Sequence, residues 1–597
     1  MTAKYYQEKI DSAGKKLEKL KLTSRILLIS KLSFFILGAI FVSIGIFHGK
    51  HELAYYIISF ISFLIYTTLI NIDYKHDKKV KYMKALIKVY NNEILSINGD
   101  FSEFESGEEF INPQHEYSFD MDIFGEQSFF HRINRTFTTE GKSMLAAKLT
   151  NLPKSKIEIE RKQKAISELE ERDTFCHSFL AFGSLLNKNI SFSIRNFYSS
   201  PIEKILIKKN IIIIAYISIF FLLLTSCLAY LREIPNWVPF IVFILQLISP
   251  IFLFKKMNKY THEIGKLHKN TKQYSEIINL LKQTEFTSDL NMELKEKLFV
   301  PEDSIKAFKK LATILNQFDK RENAYALVIL NGFFLNDLFL LIKYCNWKHS
   351  YLHRIEEWLA VLAEFEVLIS FANMNFSNSQ YAIPEIVTDG DTIIKAHGLG
   401  HPFIDKKKLV TNDFIIKKSN FSIITGANMA GKSTLLRSLG INYVMALNGM
   451  KVCAECFTIQ IVRLFSSMRN TDNLASGISY FSAELNRIEQ LINYIINNDN
   501  TLIILDEILK GTNSKDKLNG SIMFLEKIRN LPVSGVIATH DLALSELSNI
   551  NPNIFQNFCF EIDLHSSQMY TYKIQNGVCK NLNATYLLNN IFSKISK

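Results

Sequence analysis

The stretch "FSIITGANMAGKSTLLRSLG", residues 421–440, decides the fold of the C-terminal part of this chain. Its first five residues predict a buried strand, and the apolar spacing after Lys432 predicts a helix. Between them stand a glycine, four residues and Gly-Lys-Ser, the pattern of a phosphate-binding loop. The backbone N–H groups of such a loop and the helix N-terminus surround phosphates. Strand, loop and helix in this order predict an α/β nucleotide-binding domain.

Two further apolar runs supply the other groups that ATP hydrolysis needs. "TLIILDE" (501–507) predicts a buried strand that ends in Asp506, suited to hold Mg²⁺, and Glu507, suited to act as general base toward water. "SGVIATH" (534–540) predicts a third strand that ends in His540, at a position to sense the γ-phosphate. The carboxyl ends of parallel strands meet at one edge of a sheet, so these groups are expected to form one site with the loop.

Other parts of the sequence have the composition of membrane helices. The 597-residue chain is 48% hydrophobic and carries a net charge of +11. Four stretches contain no Asp, Glu, Lys or Arg: 32–47, 53–72, 211–231 and 234–254. About 20 apolar residues in a helix cross the hydrocarbon core. The stretches form two closely linked pairs flanked by lysines, which places their flanks in the cytoplasm. The pattern predicts four transmembrane helices in a multi-pass protein of the cytoplasmic (inner) membrane, with most of the chain inside.

The predicted fold class is α plus α/β. Long helical levers with four transmembrane helices precede a P-loop ATPase domain that has an ABC-like parallel sheet. The predicted parts are a basic N-terminal helix (1–24), a transmembrane hairpin (25–74), the first part of a helical core (75–210), a second transmembrane hairpin (211–254), the second part of the helical core (255–380) and the ATPase domain (381–597).

Six segments together resemble the MutS family, the mismatch-repair ATPases. Four lie in the C-terminal domain: the run from "GHPF" into the loop (400–440), "DNLASGISYFSAEL" (472–485), "LDEILKGTNSKD" (505–516) and "ATHDLAL" (538–544). Residues 120–153 and 368–386 resemble the start and the end of that family's helical core. The resemblance is specific over about 375–595 and fair over 115–170.

The resemblance implies a dimer with two composite ATP sites. Its implied catalytic residues are Glu507, His540 and Asn428, and its Mg²⁺ ligands are Ser433 and Asp506. The implied nucleotide-binding residues are Gly426, Ala427, Asn428, Met429, Ala430, Gly431, Lys432, Ser433 and Thr434, with Leu409 and Asn412 around the base and Ser479 reaching the partner's nucleotide in trans. Ala427 and Ala430 replace a proline and a glycine that the family usually has, and Lys510 replaces an arginine.

The expected function is a membrane-anchored, MutS-like ATPase that hydrolyses ATP with Mg²⁺ as a homodimer and binds DNA. Only about forty residues separate the first hairpin from the helical core, too few for the family's mismatch-reading domain. General or branched duplex binding is therefore favoured over mismatch recognition. Two alternatives stay open: an ATP-driven transporter component of the ABC type, and a nucleotide-gated membrane scaffold without DNA.

Overall fold

The computed structural model describes residues 3–47, 53–186, 209–319, 324–469, 480–562 and 570–580. Helices dominate the part that precedes residue 378. Helices α1 to α6 are Ala3–Phe47, Leu53–Ile97, Phe129–Ile133, Thr139–Thr150, Lys156–Glu171 and Asp173–Ser184. Helices α7 to α12 are Lys209–Tyr230, Trp237–Gln283, Asp289–Phe299, Ser304–Asp319, Ala324–Phe334 and Asn336–Ser377. The predicted boundaries at residues 24, 74 and 254 fall inside α1, α2 and α8, because each apolar stretch continues into a polar helix without a break.

Helices α1 and α2 pack side by side through small residues. The Ser59 hydroxyl donates to the Gly38 carbonyl across the pair at 3.0 Å. A Cβ at Gly38 would lie 3.1 Å from the Phe63 ring, so glycine permits the close approach. Small residues and interhelical hydrogen bonds of this kind are typical of helix pairs in lipid. Lys31, at the edge of the first apolar stretch, forms an ion pair with Asp73 at the end of the second.

Helix length and composition in the described residues agree with three of the four predicted spans, because α1, α2 and α7 each contain an apolar window long enough to cross a bilayer. In α8, the part whose side chains are described contributes an apolar stretch, Trp237–Ser249, and the fourth span stays a prediction. The Gln246 side chain in α8 donates to the Ser218 carbonyl of α7 at 2.7 Å. Helix α12 also has an apolar window of sufficient length, but 78% of that window is buried inside the protein. That window therefore belongs to the core.

The helical core is held to α2 and α12 by buried polar contacts. The Arg135 guanidinium forms a two-pronged ion pair with Glu93 of α2, at 2.7 and 3.1 Å. Asn373 of α12 donates to the same carboxylate at 3.0 Å. Glu366 of α12 accepts N–H bonds from Phe137 and Thr138 at the start of α4. Burial raises the pKa of Glu366 to about 7. A charged pair inside a core is costly to break, so these contacts fix the three elements to one another.

Two sheets form the C-terminal domain. Strands β1 to β5 are Glu385–Val387, Thr392–Leu399, Asn412–Lys417, Phe421–Gly426 and Cys456–Gln460, and β6 to β10 are Arg463–Ser467, Thr501–Asp506, Val533–Thr539, Phe555–Ile562 and Tyr570–Asn576. Helices α13 to α16 are Lys432–Leu447, Tyr480–Asn497, Ser514–Ile528 and Leu547–Ile550. A four-stranded sheet has the order β1-β5-β2-β3, and a six-stranded sheet has the order β10-β9-β4-β8-β7-β6.

The larger sheet is parallel except at one edge, where β10 runs antiparallel to β9. Its central strands β4, β7 and β8 are buried almost throughout. Strands covered on both faces carry continuous apolar runs, which explains the uninterrupted patterns of the sequence. The predicted α/β fold with a parallel sheet is the one observed.

Candidate nucleotide site

The phosphate-binding loop leaves the sheet at its centre. Strand β8 lies between β4 and β7, with Thr539 opposite Thr425 and Ala538 opposite Asp506. The carboxyl ends of the three strands therefore lie at one edge, as predicted. There they enclose a cavity of about 550 Å³ beside the loop.

Two glycines allow the loop to turn. Gly426 has φ +153° and Gly431 has φ +112°, a region that favours glycine. A Cβ at Gly426 would lie 3.0 Å from the Phe560 carbonyl oxygen. Ala427 and Ala430, which depart from the family pattern, are both buried. Their small side chains fit inside the turn, so the loop keeps its shape.

Lys432 begins α13 and its side chain turns back into the loop. Its Nζ donates to the carbonyls of Gly426 at 2.8 Å and Ala427 at 3.0 Å. Burial lowers the pKa of Lys432 to about 8, although Asp506 and Glu507 oppose that shift. A buried ammonium hydrogen-bonded to carbonyls gains from an anion beside it, which suits phosphate.

Ser433 and Asp506 are brought into contact. The Ser433 hydroxyl donates to Asp506 Oδ2 at 2.6 Å. One hydroxyl and one carboxylate fit Mg²⁺, which is held in many nucleotide sites by one or two protein oxygens, waters and phosphates. Within the described ranges there is no group of three or more His, Cys, Asp or Glu residues that would form a metal cage. Ser433 and Asp506 are therefore the residues that would hold Mg²⁺ with ATP.

Glu507 points into the same cavity from a strained backbone position. Its φ is +61°, which is uncommon for a residue with a side chain. Its carboxylate lies 3.4 Å from both Lys517 Nζ and His540 Nε2. His540 Nε2 is also 3.2 Å from Lys432 Nζ. Burial, and to a smaller extent the positive charge of Lys432, lower the pKa of His540. A neutral imidazole and a carboxylate therefore face the place where the terminal phosphate would lie.

The structure places most of the predicted residues around the cavity. Its lining comprises Ala427, Asn428, Met429, Ala430, Gly431, Lys432, Ser433, Thr434, Asp506, Glu507, Lys510, His540 and Tyr572. Gly426 contributes its carbonyl to Lys432 instead. Ser479 lies outside the described residues, so its predicted reach to a partner's nucleotide stays a prediction.

The two residues predicted around the base differ in their roles. Asn412 lies at the start of β3, where its side chain donates to the Tyr572 carbonyl at 3.0 Å and accepts from the Ile574 N–H at 2.9 Å. It thereby fixes β10 rather than lining the cavity. Leu409 packs toward Gly400 and is absent from the described lining.

Tyr572 was missed by the sequence reasoning. It lies on β10, far from the loop in sequence, and its ring is close to Gly431. Its φ is +56°, and the register of β10 on β9 shifts between Tyr570 and Ile574. An irregular edge strand thus turns an aromatic ring toward the loop. The one sequence signal was an aromatic pair, Tyr570 and Tyr572, at strand spacing.

The segment 120–153, which resembles the start of the MutS helical core, contacts the nucleotide domain. Asp120 is buried and accepts from the Ser466 hydroxyl at 2.8 Å and from the Met468 N–H at 3.0 Å. Asp122 forms an ion pair at 3.1 Å with Arg437, which lies on α13 directly after the loop. The helix that begins at Lys432 is therefore tied to the helical core.

Comparison with known proteins agrees with this geometry. Residues 422–587 match the family model for MutS domain V. The human MutS protein homolog 4 is 28% identical over 256 residues, 41% of this chain and 26% of that protein. The DNA mismatch repair protein MutS of Fusobacterium nucleatum is 35% identical over 193 residues, 31% of this chain and 21% of that protein. The DNA mismatch repair protein MutS of Halothermothrix orenii is 35% identical over 227 residues, which are 36% of this chain and 25% of that protein.

The matched region spans about a quarter of the length of these relatives. The family model covers the part of the chain that contains the loop, Asp506, Glu507 and His540. Residues 422–587 of this chain are therefore a MutS domain V.

Proposed function

We propose that this protein is a membrane-anchored ATPase of the MutS kind that works as a homodimer and closes on DNA. The observation that carries the proposal is the convergence of Lys432, the Ser433–Asp506 pair, Glu507 and His540 on one cavity. Together these groups can catalyse the transfer of a phosphoryl group from ATP to water.

The hydrolysis step follows from the positions of the side chains. Lys432 neutralises charge on the β- and γ-phosphates, and its present carbonyl partners hold it in place. Glu507 orients the attacking water and accepts its proton, and His540 lies beside both Glu507 and Lys432. When bound through Ser433 and Asp506, Mg²⁺ supplies positive charge at the phosphate oxygens.

Membrane anchoring is supported by the surfaces of the apolar helices. Many apolar side chains of α1, α2 and α7 are exposed in the part of the chain that the structure describes; Phe47 is 84% exposed, Phe60 69% and Phe220 64%. Apolar area on this scale is costly in water. The bilayer is the solvent in which three long helices of this composition are stable.

Polar contacts link the nucleotide site to the membrane helices. Asp122 joins α13 to the segment before α3. Arg135, just after α3, is paired with Glu93 near the end of α2. Helix α2 runs unbroken from that ion pair into the predicted span. A movement of α13 on ATP binding would thus be transmitted to the membrane hairpin.

DNA is the proposed partner of the helical levers. The relatives include proteins named for DNA mismatch repair, and the chain has a net charge of +11. Basic levers can bind the phosphate backbone without reading sequence, with an affinity that falls as salt rises. The dimer is proposed from the composite site that the resemblance implies at Ser479.

The test is ATP hydrolysis by the full-length protein in detergent or liposomes. Rates are measured without DNA and with matched, mismatched and branched duplexes at several salt concentrations, with Glu507→Ala as the inactive control. We expect a Glu507-dependent rate that DNA changes and that salt returns to its basal value. A rate that every DNA leaves unchanged would remove DNA from the proposal while leaving the ATPase in place.

A further inference from the structure

Residues 324–342 form a second kind of apolar element beside the predicted spans. They comprise α11 and the first turns of α12 and contain one charged residue, Asp337. Several of its apolar side chains are exposed: Val328 is 40% exposed, Ile329 54%, Phe333 47% and Phe334 57%. Exposed apolar residues clustered in this way mark an interaction surface.

This element packs against the second helix pair, α7 and α8, at three levels. Leu341, Ile342 and Cys345 form a cluster with Ile211 and Ile212 at the start of α7. Further along, the rings of Phe339 and Tyr216 lie 5.3 Å apart.

The third level is the tip of the element. There the Phe333 and Phe243 rings lie 5.0 Å apart. A Cβ on Gly332 would lie 2.2 Å from the Phe243 ring, so glycine is required for this approach.

The three levels agree in depth when the helical rise of 1.5 Å per residue is applied. Tyr216 lies five residues, about 7.5 Å, from Ile211 at the end of the apolar stretch, and Phe339 lies about 9 Å from Cys345. Phe243 lies eleven residues, about 16 Å, from the end of its own stretch at 254, and α11 from Ala324 to Phe333 rises about 14 Å. The tip is therefore about 15 Å deep, half of a hydrocarbon core that is about 30 Å thick.

The turn at the tip supplies partners for two of its backbone N–H groups. Leu335 has φ +48° and is 3% exposed. Its N–H donates to the Asn331 carbonyl at 3.1 Å, and the Asp337 N–H donates to Asn331 Oδ1 at 2.8 Å. A break between helices is tolerated at membrane depth when the protein itself supplies such partners.

We propose that residues 324–342 form a re-entrant hairpin that enters the cytoplasmic leaflet beside α7 and α8 and turns back near the bilayer midplane. Phospholipid acyl chains cover its exposed side chains, which continue the apolar surface of α7, where Ile213 is 55% and Phe220 64% exposed. The inference rests on the proposed membrane location of the helix pair.

The hairpin gives the nucleotide domain a direct connection to the lipid. Helix α12 runs unbroken through 42 residues, about 63 Å, from the tip to Ser377. At its far end, Asn375 Oδ1 accepts the backbone N–H of Lys451 at 3.0 Å. A rigid helix of this length would transmit a tilt of the nucleotide domain to the inner leaflet without passing through a loop.

The experiment measures depth with a fluorescent label on single introduced cysteines. Cys227 and Cys456 are the exposed native cysteines, and the other five are buried, so Cys227→Ser with Cys456→Ser gives the background. Phe334→Cys reports the tip and Ile329→Cys a shallower point of α11. Phe220→Cys in α7 is the membrane control, and Ile157→Cys, at a position 71% exposed on α5, is the aqueous control. Each is labelled with an environment-sensitive fluorophore in phosphatidylethanolamine–phosphatidylglycerol vesicles that contain lipid with a nitroxide near the headgroup or deep in the chain.

We expect the deep nitroxide to quench the labels at 334 and 220 to a similar extent, the shallow nitroxide to quench the label at 329, and neither to quench the label at 157. Quenching at 220 with none at 334 and 329 would overturn the re-entrant hairpin while keeping the membrane anchor. Absence of quenching at 220 as well would overturn both. Disulfide cross-linking between two chains at position 334, without lipid quenching, would assign the surface to a second copy and would also overturn the proposal.

Discussion

The affinity for ATP should fall as pH rises above about 8, because of Lys432. Its side chain is buried against the Gly426 and Ala427 carbonyls, and burial lowers its pKa to about 8. Phosphates beside the amine favour its charged form and raise this pKa in the complex. Binding therefore takes up a proton once the pH exceeds the pKa of the empty site.

The size of the effect follows from the protonated fraction. With a pKa of about 8, roughly nine-tenths of Lys432 is charged at pH 7 and roughly one-tenth at pH 9. Since the phosphates bind the ammonium form, the affinity should be about tenfold weaker at pH 9 than at pH 7, or about 1.4 kcal/mol. Below pH 7 the amine is fully charged and contributes no further dependence.

The assay is calorimetric titration with a non-hydrolysable ATP analogue between pH 7 and 9, in two buffers of different ionisation enthalpy, so that proton uptake is measured directly. AMP is the matched control, because it lacks the β- and γ-phosphates that face Lys432 and should bind without this dependence. A constant affinity over the whole range, with no proton uptake at pH 8.5, would refute the reasoning and would mean that burial leaves Lys432 fully charged.

Three further outcomes are expected. Glu507→Gln should bind ATP normally but hydrolyse it at about one hundredth of the wild-type rate or below, because it removes the general base. Single-turnover measurements separate binding from hydrolysis. Glu93→Ala should lower the free energy of unfolding by about 3–5 kcal/mol, because it leaves the buried Arg135 guanidinium without its carboxylate partner. Glu103→Ala, at an exposed ion pair, is the control and should lower it by less than about 1 kcal/mol. Denaturant unfolding in detergent compares the two variants. Tyr572→Ala should weaken ATP binding about tenfold if its ring contacts the base, and Tyr572→Phe should restore it; an unchanged affinity in Tyr572→Ala would place the base elsewhere.

The sequence by itself determined the nucleotide site, because its chemistry is local. Because a strand, a glycine-containing loop and a helix follow one another directly, the positions of Lys432 and Ser433 are closely restricted. Asp506 and His540 each end an apolar run, and a parallel sheet brings such ends together. The apolar stretches were equally plain, since length and lack of charge are read without knowledge of contacts.

Only the tertiary structure decided which distant residues join these elements. Tyr572 reaches the loop through an irregular edge strand, and Asn412 serves that strand rather than the cavity. The Glu93–Arg135 ion pair joins two segments whose sequence patterns do not indicate that they meet.

The element at 324–342 shows the same limit. Its composition fits a core helix and a membrane-facing helix equally well, because local apolar content does not reveal what covers a side chain. Contacts with Phe243 and Tyr216 place the element beside α7 and α8, and such contacts form between residues far apart in sequence. Local patterns therefore determined the chemistry of this protein, whereas long-range packing decided how that chemistry is connected to the rest of the chain.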